Sequence, residues 1–170
     1  ESSLQKAACQ SGPHPGPAVL RRLNRAEYSA SVRDLLDIHF DAGEALPSDG
    51  SGGEGFDNAA ETLFISPIHA EKYMDAARVA VEYAFADTRS LRRFLVAEPD
   101  EKTPPEVAAR RVIEAFLPRA FRRSIPESEI LEYLALFHAA YEADPSFMVA
   151  IRHTLQAVLI SPKFLFIAEE

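Results

Sequence analysis

Cysteine is almost missing from this chain: there is one, Cys9, in 170 residues. No intrachain disulfide can form, so no disulfide framework organises the fold. No C-x-x-C-H run occurs either, which excludes covalent attachment of a c-type haem to this chain. Long apolar runs are lacking. The longest nearly uncharged stretch, Leu155 to Phe166, is broken by Ser161-Pro162-Lys163 and is too short to cross a bilayer. The opening ESSLQKAACQ shows no basic start followed by an apolar run, so no signal peptide is expected in it. Positive charge is in deficit: 26 acidic residues face 18 basic ones, a formal charge of −8. That balance opposes a general binder of phosphate backbones, and nucleic acid is not an expected partner. Catalytic signatures are equally scarce. There is no G-x-S-x-G elbow, and SGGEG is followed by neither Lys-Ser nor Lys-Thr. His14, His39, His69, His138 and His153 include no pair spaced to set two imidazoles on one helix face for zinc.

What is present reads as helix. Apolar residues make up 47% and charged residues 26%, the balance of a globular chain of one domain or two very small ones. Asn24 followed by Glu27 resembles a capping box, and Leu23, Tyr28, Val32, Leu35 and Leu36 then fall on one face, with Arg22, Arg25, Glu27 and Arg33 off it. Ser66-Pro67 opens a second helix to about Phe85, on Ile68, Met74, Ala77, Val81 and Phe85. Ser90 to Val96 adds a turn or two. Thr103-Pro104-Pro105-Glu106 starts a helix that meets Pro118, where a kink is expected, and continues to about Arg123. Ile130, Leu134, Phe137 and Tyr141 mark the next, Asp144-Pro145 opens another, and Ser161-Pro162 begins a last turn. No run alternates with a period of two. The expected fold is all-α, a bundle of about five to seven helices with one long Gly/acid-rich loop. Residues 1–18, rich in Pro and Gly, read as a linker or strap, 19–100 as an N-terminal helical module holding the loop, and 101–170 as a C-terminal helical module packed on the first.

Three groups are candidates for function. The loop from Asp37 to Thr62 carries acids enough for calcium, with Asp49, Glu54 and Asp57 as the candidate ligands; EF-hand spacing is absent, and solvation is the commoner fate of such charges. Phe40, Leu46 and Phe56 should pin this loop to the helices. Basic residues cluster on one helix at Arg110, Arg111, Arg119, Arg122 and Arg123, suited to forked pairing with carboxylates, those of the acidic loop among them, or with helix C-terminal carbonyls. Finally Phe164-Leu165-Phe166-Ile167 is strongly apolar, and either folds back on the bundle or enters a continuing chain.

The segments VLRRLNRAEYSASVRDLLDIHFD, EGFDNAAETLFISPIHAEKYMDAA, FLPRAFRRSIPESEILEYLALF and IRHTLQAVLISPKFLF together resemble consecutive modules of large multidomain proteins abundant in planctomycetes and some other environmental bacteria, built from domains of unknown function. The family order of an LRRLNRxEY helix, a GFDN loop, an LSP…EKY helix, an RAFRRP helix and SPxFLF resembles this chain from about Val19 to Phe166. Pro118, Ser124 and Pro126 depart from the pattern. The resemblance implies an extracytoplasmic protein, periplasmic or at the cell surface. It also implies that haem c, where the family carries it, sits on a separate cytochrome domain, with no cofactor in this chain. No catalytic residue is implied. The favoured expectation is a non-catalytic scaffold or interaction module that docks neighbouring domains or a partner protein through Arg119, Arg122, Arg123, Phe164 and Phe166. The alternative is part of an oxidoreductase or polysaccharide-active enzyme whose site is shared with neighbouring domains.

Overall fold

In the computed structural model, residues 19–44, 46 and 67–169 are described. Asn24 caps α1 (Arg25–Leu36) through a full capping box: its side chain accepts from the Glu27 N–H at 2.8 Å, and Glu27 returns the bond to the Asn24 N–H at 2.9 Å. Two orphan donors are satisfied reciprocally, which holds the helix start in place. Leu23, Tyr28, Val32, Leu35 and Leu36 are all buried, as the spacing predicts. Arg22 is the exception to that reading. It is buried at 1% exposure, donating to the Leu23 carbonyl and to the Tyr73 hydroxyl.

The second helix, α2 (Pro67–Ala86), keeps its expected length, and of the expected face Ala77 and Val81 are buried and Phe85 packs on the core, but the inward face is shifted away from the other two. Ile68 and Met74 are both 58% exposed, while Tyr73, Ala76, Ala77, Ala80, Val81 and Ala84 are buried. Small residues let neighbouring backbones approach closely, so alanines rather than the larger side chains mark the core face. Helix α3 (Thr88–Phe94) starts earlier than expected, capped by Asp87, whose carboxylate accepts from the Ser90 N–H at 2.8 Å. Helix α4 (Pro105–Phe121) runs on through Pro118 and stops at Phe121, because Arg122 takes a left-handed conformation with φ 58°. Its cap is not Thr103, whose N–H donates instead to Asp100; Pro104 precedes the helix with no side-chain bond.

Helix α5 (Glu127–Ala143) buries Ile130, Tyr133, Leu134 and Phe137. Helix α6 (Phe147–Leu159) opens two residues beyond the expected Asp144-Pro145, with Ser146 as the cap. It packs on α2, α4 and α5 and is the centre of the bundle. Its buried Thr154 hydroxyl is satisfied by the Ala150 carbonyl at 2.9 Å, as a hydroxyl must be in an apolar interior. After α7 (Pro162–Leu165) the chain turns into a strand.

That strand was not expected. Among the described residues the architecture is all-α, seven helices in one contiguous core, plus a two-stranded antiparallel ribbon. The ribbon pairs β1 (Val19–Arg22) with β2 (Phe166–Glu169), Val19 opposite Glu169 and Arg22 opposite Phe166. The Leu23 N–H extends it by donating to the Leu165 carbonyl at 2.7 Å. The apolar C-terminal segment therefore folds back on this chain. Of the long loop, the described part begins at Asp37 in a left-handed cap and includes two of the expected anchors: Leu46 is buried, and Phe40 lies 5.0 Å from the Tyr83 ring. At Gly43 a Cβ would sit 2.8 Å from the Arg25 carbonyl oxygen, so only glycine lets the loop lie this close to α1. Phe56 lies outside the described residues.

Candidate functional site

Three helix C-terminal ends converge on one cleft. α1 brings Ser31, Asp34 and Leu35, α3 brings Arg93, the last turn of α4 brings Arg119 and the capping residue after it Arg122, with Phe164 of α7 also lining the cleft. The cleft is open and has a volume of about 280 Å³. Cationic side chains suit this place, because each helix C-terminus carries partial negative charge on its free carbonyls.

Each arginine is held differently. Arg119 donates from one Nη to the Leu35 carbonyl at 2.9 Å and from the other to the Arg93 carbonyl at 3.3 Å, tying the ends of α1 and α3 to α4. This is the carbonyl pairing that the basic cluster suggested. Arg122 donates to the Ser31 hydroxyl at 3.1 Å and to the Phe164 carbonyl at 3.4 Å, with its guanidinium 5.4 Å from the Phe164 ring centre. The left-handed backbone at Arg122 ends the helix at that point, which sends the side chain back across α7. Arg93 makes no side-chain hydrogen bond or ion pair among the described residues. Burial, then repulsion from Arg93, pushes the Arg119 guanidinium below its ordinary value; burial does the same to Arg122, opposed by Glu27.

The surroundings sharpen the contrast. Arg21, Arg78, Arg89, Arg110 and Arg123 all lie within ion-pair reach of carboxylates. None of Arg93, Arg119 and Arg122 does so among the described residues. Next to this cleft lies a second, wider depression of about 510 Å³, lined by Arg33, Asp37, His39 and Arg89 and sharing Asp34 and Arg93 with the first. Arg89 is taken up there by Asp37 at 2.9 Å.

Of the residues singled out in the sequence, Arg119, Arg122 and Phe164 come together. Arg123 points elsewhere and pairs with Glu129 at 2.9 Å, which Lys163 approaches to 3.5 Å. Phe164 is 1% exposed and its ring packs on Tyr28, so it belongs to the core. Phe166 is half-buried in the ribbon. The candidate calcium ligands Asp49, Glu54 and Asp57 lie outside the described residues. Among the described residues no group of three or more His, Cys, Asp or Glu side chains is placed to hold a metal. His138 lies 3.8 Å from Glu106, on the face of α5 turned to α4. Ser31 and Asp34 on one side and Arg93 on the other were missed because they lie about sixty residues apart and meet only through packing of α1 and α3; the Arg92-Arg93 pair was a local hint.

The fold and the cleft belong to recognisable segments. Residues 21–86 match PSD3, a protein of unknown function (DUF1587), and residues 108–169 match PSD5, a protein of unknown function (DUF1595). The two matches are successive along the chain, and each is to a domain of unknown function. No curated protein and no solved structure gives a match. α1 comes from the first segment and the Arg119–Arg122 turn from the second, so the cleft is built where the two meet.

Proposed function

We propose that this chain is a non-catalytic helical module that docks a neighbouring domain or partner protein through the arginine cleft. One observation carries the reading: in a chain with excess acid, Arg93, Arg119 and Arg122 share an open cleft and, among the described residues, have no carboxylate within ion-pair distance. Two of them are already held still by carbonyls, so little side-chain entropy remains to be lost on docking. Placement in an exported, extracytoplasmic multidomain protein, with haem c on a separate domain where it occurs, is supported by the resemblance of the four motifs to the planctomycete-type family.

Hydrogen–deuterium exchange tests the proposal on this chain alone and on the whole polypeptide expressed from its gene. Exchange is expected to slow in the longer polypeptide over residues 31–35, 89–94 and 119–122. Equal exchange rates throughout those segments would remove the docking role.

A further inference from the structure

We infer that the arginine cleft receives carboxylate side chains from an acidic segment of a partner polypeptide. The inference rests on the docking role above and names the chemistry of what docks. A guanidinium has five N–H donors. Arg119 uses its two Nη atoms on the Leu35 and Arg93 carbonyls, and Arg122 uses its own on Ser31 and the Phe164 carbonyl. Each keeps donors in reserve, and Arg93 keeps all of its own among the described residues. Forked N–H groups match the two oxygens of a carboxylate, a geometry that a lysine cluster would not provide.

The cleft also limits how much negative charge it accepts. Asp34 lines it, and the C-terminal turns of α1, α3 and α4 border it, with the Leu35 and Arg93 carbonyls turned to Arg119. Phosphate sites are ordinarily built the other way round, from helix N-termini and backbone N–H groups. Three guanidinium groups against one carboxylate and three helix ends suit one or two monoanions, not a dense polyanion. The formal charge of −8 on the chain opposes a long nucleic acid further. A peptide carrying spaced glutamates or aspartates has the right charge, and its backbone fits an open depression that continues past Arg93 towards Arg33.

The test is fluorescence polarisation with a short fluorescein-labelled peptide in which glutamate alternates with small residues. Its glutamine counterpart, inorganic phosphate and a DNA duplex serve as competitors. The glutamate peptide is expected to bind, more weakly as salt rises, and the glutamine peptide about tenfold less well or worse. Arg93→Gln, which removes no side-chain bond among the described residues, should weaken binding about three- to tenfold. Arg78→Gln on α2, paired there with Glu82, should leave binding unchanged. Equal binding of the two peptides, no effect of Arg93→Gln, or displacement by phosphate or DNA more readily than by the glutamate peptide would each overturn the inference. If the exchange experiment shows protection at the cleft while the peptide does not bind, the carboxylate partner falls and docking stands. If neither occurs, both fall.

Discussion

Glu27 shows how much one side chain carries here. It closes the capping box of α1 and takes a bidentate fork from Arg21, at 2.7 and 2.9 Å. Burial alone would raise its carboxyl, but the Arg21 fork, the Asn24 N–H and the Arg122 charge outweigh that and hold it below its ordinary value. A carboxyl depressed in the folded state adds stability above the ordinary carboxylate range, and that contribution is lost as pH falls through the depressed value. Glu27→Gln should therefore lower stability near neutral pH by about 1 kcal/mol and flatten the fall in melting temperature below about pH 4.5. Thermal melts of both proteins from pH 7 to 3 check this, and parallel acid limbs would contradict it. The Asn24-Glu27 box was legible in the sequence because it is local, three residues apart. Arg22 was not. An arginine ordinarily signals surface, and its burial beside Tyr73 depends on a partner 51 residues away.

Helix identity was legible through capping and proline placement, whereas helix orientation was only partly so. α1 and α5 announced their core faces with large side chains at helical spacing. α2 did so only in part: Ala77 and Val81 of the expected face are buried, but Ala76, Ala80 and Ala84 also face inward and Ile68 and Met74 face outward. Hydropathy ranks alanine below isoleucine and methionine, so a stripe of alanines is read as neutral surface. The close approach of α2 to α6 is what gives it meaning. Ala80→Leu should consequently cost about 1–3 kcal/mol through overpacking, while Met74→Gln should change stability by no more than about 0.5 kcal/mol. Urea midpoints of the two variants decide the orientation; a costly Met74→Gln with a tolerated Ala80→Leu would reverse it. The Arg119 and Arg122 part of the cleft was legible as a basic helix end. Its other half was not, because Ser31 and Asp34 carry no signal until α1 lies beside α4.

Over the whole molecule, one core joins the two family segments. Tyr28 of α1 packs edge-on to Tyr73 of α2 and to Phe164 of α7, at ring distances of 4.9 and 5.9 Å. Phe164→Ala should cost about 3–5 kcal/mol, and it should destabilise residues of both segments together. Far-ultraviolet circular dichroism and tyrosine fluorescence should give coincident transitions before and after the change; a split transition would mean that the segments unfold separately. The all-α class was legible from the absence of alternating runs, but the ribbon was not, since each strand has only four residues and its partner lies at the far end of the described chain. With Val19 opposite Glu169, the backbone arrives and departs at the same pole of the bundle. Any polypeptide continuing from both sides would carry these helices as a side-mounted bead, hung from a single stem, and pulling on the two flanks would unzip the ribbon one pair at a time before straining a helix.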